Sequence, residues 1–175
     1  MESSKDLIAG PIKGYKAFNR DFTCLEFQFK VGETYELPAG QRPIPCSTGF
    51  HFCQIPIYCN HYYAMDIGTR YAEIEAWDVI HDGNKSVARK IRIVREIPKT
   101  EWDNLNGRFE GHYGVIYLKN CQYHREDGPA IERYDGSKEW YQNGLCHRED
   151  GPAIEWASGA KEWYLNGLWH HGERP

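Results

Sequence analysis

Apolar and polar side chains alternate from Leu25 to Lys30, which marks that stretch as a half-buried strand. Val31 to Leu37 extends it until Pro38-Ala39-Gly40 breaks the run. Gly49-Phe50-His51-Phe52-Cys53 reads as a short aromatic strand. Pro56 opens the one convincing helix, running to about Met65, because proline is favoured in a first helical turn. Tyr71–Trp77 and Ala88–Arg95 are two further strands, separated by the turn-rich His81-Asp82-Gly83-Asn84. Residues 13–97 are therefore expected to form a small mixed α+β domain that is mostly β, preceded by a tail over 1–12 and followed by a linker over 98–106.

A different order governs the rest. Over the 22 positions from His124 to Leu145, only 5 differ from the segment 23 residues further on. The shared core is His-Arg-Glu-Asp-Gly-Pro-Ala-Ile-Glu, from His124 and again from His147, and a degenerate third copy starts at His170. A fixed period of this kind means stacked units that bury their apolar faces against each other. Asp135-Gly136, Ser158-Gly159, Asn143-Gly144 and Asn166-Gly167 are hairpin turn signals. Residues 107–175 are thus predicted to be an antiparallel β-hairpin array, making the fold class α+β and β-rich.

Composition narrows the function. The chain carries 6 Trp, 12 Tyr and 7 Phe, enough apolar and aromatic surface to fold. Net charge is -4 with acids and bases interleaved, which disfavours duplex nucleic acid as a partner because displacing counterions takes a positive field. No apolar run approaches the ~20 residues that cross a bilayer, and Met1-Glu2-Ser3-Ser4-Lys5-Asp6 lacks a signal-peptide pattern. The expectation is a cytoplasmic protein with reduced cysteines and no membrane partner. Cys46, Cys53 and Cys59 lie near His51 and His61 in sequence, but their spacings lack the close Cys-x2-4-Cys pair of zinc sites. Neutral thiols without a metal or cofactor are expected. There is no P-loop, Rossmann fingerprint, nucleophile elbow or His-Glu-x-x-His.

The repeats carry Trp140-Tyr141-Gln142-Asn143-Gly144 and Trp163-Tyr164-Leu165-Asn166-Gly167. On these residues the segment from about Gly107 to Pro175 resembles MORN-type repeats, in a variant found in phage and bacterial proteins. That resemblance implies a binding, spacing or dimerising module. A column of His124, His147 and His170, flanked by Arg125 and Arg148 and joined by Trp140 and Trp163, is the candidate partner-binding stripe. The alternative is internal, with Arg and Asp pinning each loop and Gly-Pro setting its turn. The exposed edge of the last hairpin makes homo-oligomerisation a further expectation.

In the first domain, the Gly-Phe-His-Phe-Cys core and Tyr71-Ala72-Glu73-Ile74-Glu75 resemble a phage-associated domain family of unknown function. A second resemblance is to the split β-core of ADP-ribosyltransferases, which implies Lys16, Tyr63 and Glu73 or Glu75 at the NAD-holding positions. Lys16 stands where those enzymes use Arg or His, which implies a retained pocket rather than catalysis. Cations beside aromatic rings can meet a phosphate and a base. The candidate ligand set is therefore Lys16, Phe18, Tyr35, His51, Phe52, Tyr63, Arg70, Tyr71 and Lys90, with Glu73 and Glu75 as the catalytic pair of a transferase. The expected function is non-enzymatic binding of a nucleotide-like small molecule, in a phage setting the sequestration of a nucleotide immune signal in the host bacterial cytoplasm. The alternatives are an adaptor that binds a host protein through the repeats, and an ADP-ribosyltransferase-like enzyme.

Overall fold

The computed structural model describes residues 7–63 and 68–170. The chain is β-rich, with antiparallel sheets, and divides into two compact units after Trp102. In the first unit the strands are β1 (Ile12–Phe18), β2 (Thr23–Cys24), β3 (Phe27–Gln28), β4 (Thr34–Glu36), β5 (Phe50–Phe52), β6 (Arg70–Asp82) and β7 (Lys85–Ile97). A 3-10 helix spans Pro56–His61 and the short helix α1 spans Lys99–Asp103. The long β6–β7 hairpin is the backbone of the unit: β1 pairs with β6, and both β4 and β5 pair with β7.

Side chains alternate across this sheet, and its two faces differ. One face carries Ala72, Ile74, Ala76, Ile91 and Ile93, packed with Phe18, Phe22, Phe29 and Phe52 into the core. Phe18 and Phe22 stack at 4.2 Å. The alanines and Gly14 leave room for those rings, since a Cβ on Gly14 would lie 2.5 Å from the Phe52 ring. The opposite face carries Tyr71, stacked on Trp102 of α1 at 3.8 Å and 8°, with both side chains fully buried. Asn60 of the 3-10 helix accepts hydrogen bonds from Trp102 Nε1 and Tyr71 Oη, at 3.2 and 3.3 Å.

Four sequence expectations change here. Leu25–Lys30 is not one strand: Leu25 and Glu26 take φ of 49° and 64°, and the chain reverses between β2 and β3. Its alternation reflects Phe27 and Phe29 meeting Tyr35 and Phe50 across a bend. Only Thr34–Glu36 of the next stretch is strand, because Gly32, at φ 86°, turns the chain first. The expected linker 98–106 is divided between the units: burial of Trp102 draws residues 98–102 into the first, and 103–106 fall in the second. The expected helix begins at Pro56 as a 3-10 helix ending at His61; its predicted end near Met65 lies outside the described residues.

In the second unit the strands are β8 (Gly107–Gly111), β9 (Gly114–Lys119), β10 (Gln122–Tyr123), β11 (Ile131–Arg133), β12 (Lys138–Glu139), β13 (Tyr141–Gln142), β14 (Leu145–Cys146), β15 (Ile154–Glu155), β16 (Lys161–Leu165) and β17 (Leu168–His170). One sheet runs β10-β9-β11-β12-β15-β16-β17, with β8 also on β9, while β13 and β14 form their own hairpin. Asn143 and Asn166 take φ near 50° ahead of their glycines, the geometry of tight hairpin turns. The period is visible in the bonding: Tyr117 N–H donates to Ala130 and Trp140 N–H to Ala153, both at 2.8 Å. Each repeat therefore seats the next repeat's alanine, fully buried at Ala130 and Ala153.

Candidate functional site

A cavity of about 720 Å³ opens beside the core of the first unit. Lys16 of β1 and His51 of β5 form its floor. Around them stand the β2–β3 turn, the Cys46–Ser47 loop, Tyr62 and Tyr63 after the 3-10 helix, and Lys85 at the start of β7. The walls are mainly apolar, and the polar groups are few, as in pockets that bind small molecules.

Lys16 is 5 % exposed. Its Nζ donates to the His51 carbonyl at 2.8 Å, lies 3.4 Å from Cys24 Sγ, and sits over the Phe18 and Phe29 rings at 5.5 and 5.4 Å. Among the described residues no carboxylate pairs with it. Period-2 alternation along β1 dictates this placement, because Gly14, Lys16 and Phe18 share the core-facing side. The second ammonium, Lys85, lies 2.8 Å from Cys46 Sγ and 5.4 Å from the Tyr62 ring centroid. His51 connects the two lysines: its Nε2 accepts the Cys46 amide at 3.0 Å. Burial, and then the charges of Lys16 and Lys85, hold the His51 pKa below its usual value. The Tyr63 hydroxyl donates to Cys24 Sγ at 2.8 Å, and burial pushes its own ionisation up, so it stays neutral.

A family model described as "Domain of unknown function (DUF7666)" matches residues 12–104. The chain belongs to this family. No curated protein and no solved structure matches it. The match ends just beyond Trp102, where packing also closes the unit, so the DUF7666 domain includes α1.

Of the ligand residues expected from sequence, the DUF7666 domain brings Lys16, His51, Phe52 and Tyr63 to the cavity and leaves the others elsewhere. Phe18 and Tyr71 are fully buried core residues. The Tyr35 hydroxyl is taken up by the Lys30 amide and Glu33. Arg70 makes a two-toothed ion pair with Glu96. Lys90 lies over the Trp77 ring and near Glu36. Glu73 is bonded to Arg95 at 2.5 Å and Glu75 faces Arg92 at 3.7 Å. In the β1–β6 register Lys16 stands opposite Ala72, so Glu73 points to the other face of the sheet. The Lys16–Tyr63–Glu73 set expected of a transferase therefore does not converge.

The cavity also holds residues that sequence reasoning did not select for it: Cys24, Cys46, Tyr62 and Lys85. Cys46 carries a sequence signal in its position near His51, Cys53 and Cys59. Among the described residues no three His, Cys, Asp or Glu side chains converge as a metal set.

In the repeats the cations are internally satisfied. Arg125 Nε donates to Asp127 at 2.8 Å, its Nη1 to Pro129 O at 3.3 Å and Glu132 at 2.5 Å, and its guanidinium lies 4.0 Å from the Tyr117 centroid. Arg148 repeats this with Asp150, Pro152, Glu155 and Trp140. Gly128 lets the arginine fold back, since a Cβ there would lie 3.0 Å from its guanidinium carbon. His124 and His147 accept, at Nδ1, the amides of Asn143 and Asn166 in the next turn, at 3.0 and 3.1 Å. Trp163 is half-buried and pairs in register with His170. These residues hold the array together, which is the internal reading of the loop.

Proposed function

We propose that the DUF7666 domain is a non-catalytic receptor for an anionic, nucleotide-type small molecule held in the Lys16 cavity. The observation that carries this reading is Lys16 itself, a buried ammonium with no carboxylate partner among the described residues. A buried charge without a counter-charge costs several kcal/mol, and an anion in the cavity offsets that cost. The volume suits a small nucleotide. Tyr62 and Tyr63 supply phenol rings, and Lys85 a second cation at the rim. In the phage setting that the sequence resemblance implies, such a receptor sequesters a nucleotide-derived immune signal, a cyclic ADP-ribose derivative or a cyclic oligonucleotide.

Titration calorimetry of the full chain with mononucleotides, cyclic nucleotides and inorganic phosphate tests the reading. At least one nucleotide is expected to bind at roughly 10 μM or tighter, and Lys16→Met to weaken it. Absence of any binding below the high-micromolar range removes the proposal.

A second reading, protein docking on the repeats, is favoured by Leu168 and Trp169, which are 74 % and 55 % exposed on β17. Capture of a host protein from lysate that is lost in Leu168→Asp and Trp169→Asp full-length variants would support it.

A further inference from the structure

Two sulfur–ammonium contacts lie in the same cavity, and they differ. Cys24 Sγ is 3.4 Å from Lys16 Nζ, but it also accepts the Tyr63 hydroxyl, and Lys16 is committed to the His51 carbonyl. Cys46 is exposed, and its Sγ is 2.8 Å from Lys85 Nζ. Both members of this second pair are held in place. The Cys46 backbone takes a left-handed φ of 59°, an uncommon conformation for a non-glycine residue, fixed by its amide bond to His51 Nε2. Lys85 rests over the Tyr62 ring, which is itself tethered through its hydroxyl to Asn84. Reactive cysteines sit at accessible, electropositive positions of this kind. Cys146 is the contrast: burial, and then Glu139 and Glu162, push its thiol pKa up to about 12.

We propose that Cys46 and Lys85 form an oxidation-sensitive cross-link at the rim of the cavity, with hydrogen peroxide or a related peroxide as oxidant. In the first step the Cys46 sulfur attacks peroxide: an S–O bond forms, the O–O bond breaks, water leaves, and a sulfenic acid remains. In the second step Lys85 gives its ammonium proton to solvent and the resulting amine attacks that sulfur: an S–N bond forms, the S–O bond breaks, and the hydroxyl leaves as water with one amine proton. Sulfur loses two electrons and the peroxide gains them. Sulfenic acids condense with nitrogen in this way and return to the thiol under reduction. Because the joined nitrogen is no longer an ammonium, the cavity loses one of its two lysine charges. The control of anion binding that follows rests on the receptor reading above; the cross-link does not.

The full chain is treated with hydrogen peroxide and mapped by peptide mass spectrometry. The expected product is a peptide pair joined at Cys46 and Lys85, lighter by two hydrogens than its reduced parts and separated by a thiol reductant. It is absent from Cys46→Ser and from Lys85→Arg. Recovery of Cys46 only as an unlinked sulfinic acid, or a link to Lys16 instead, overturns the proposal. Calorimetry before and after oxidation reads the consequence, an expected loss of about tenfold in affinity for the best-binding nucleotide. A cross-link that leaves affinity unchanged overturns the control and leaves the link standing. No nucleotide binding in either state overturns the receptor reading alone.

Discussion

Lys16 in the DUF7666 domain and Arg148 in the repeats are both cations lying over aromatic rings, and they are used in opposite ways. Arg148 has two carboxylates, a backbone carbonyl and the Trp140 face around it. Its Nε and Nη1 donors are answered from within the repeats. Lys16 is more deeply buried, yet its partners are one carbonyl, one sulfur and two rings, with no carboxylate among the described residues. The difference separates a cation that builds a loop from one that waits for a ligand. Residue type does not make that distinction; the inventory of acceptors does.

The largest test of the two-unit description is Trp102→Ala. Removing a fully buried indole stacked on Tyr71 is expected to cost about 3–5 kcal/mol. Hydrogen exchange should then rise across 12–102 and stay unchanged in β8–β17. A uniform rise along the chain would show one cooperative unit instead. Next in size is the paired substitution of the two cations by methionine. Arg148→Met leaves acceptors unanswered and should destabilise the repeats by about 1–3 kcal/mol, read by chemical denaturation, with nucleotide affinity intact. Lys16→Met replaces an uncompensated charge by an apolar chain of similar shape, so stability should hold or rise by about 1 kcal/mol. Its loss should appear in binding, by at least about tenfold. Equal destabilisation by both variants would erase the distinction between them.

Much of this is legible in the residues alone. The repeat period placed the hairpins and their Asn-Gly turns, because those turns need φ values that few other pairs supply. Tyr71–Trp77 and Ala88–Arg95 marked the central hairpin, which proved longer, Arg70–Asp82 and Lys85–Ile97. The misreading of Leu25–Lys30 has a local cause: two adjacent non-glycine residues in left-handed backbone carry no sequence signature, whereas their alternation does. Of the site, Lys16, His51, Phe52 and Tyr63 were found because cations beside aromatics stand out. Phe18, Tyr35 and Tyr71 were selected by the same rule and belong to packing or local hydrogen bonding, since aromatic content alone does not say which rings face a void. Cys46 and Lys85 are 39 residues apart and meet only because the β6–β7 turn returns to the Cys46 loop.

The finest test concerns His51, which touches both halves of the site. The Cys46 amide donates to its Nε2, so the neutral ring carries its proton on Nδ1. Burial, Lys16 and Lys85 all lower its pKa, against a smaller opposing effect of the Gly49 backbone bond and Asp82. An unfolded histidine titrates near 6.5. Below that pH the unfolded chain takes up a proton that the folded ring resists, so stability falls as pH drops from about 6.5 toward the folded value. Above about pH 6.5 the contribution is fully present and constant. His51→Gln keeps an acceptor for the Cys46 amide and does not titrate, so the acid-side loss of stability should shrink relative to wild type. An anion settling beside Lys16 cancels part of the field that lowers the His51 pKa. Binding near pH 6 should therefore take up protons, and calorimetry in buffers of different ionisation enthalpy measures that uptake. Proton-neutral binding at that pH, in a chain whose His51 resonances still titrate low, would place the anion away from Lys16 and return that lysine to the class of Arg148.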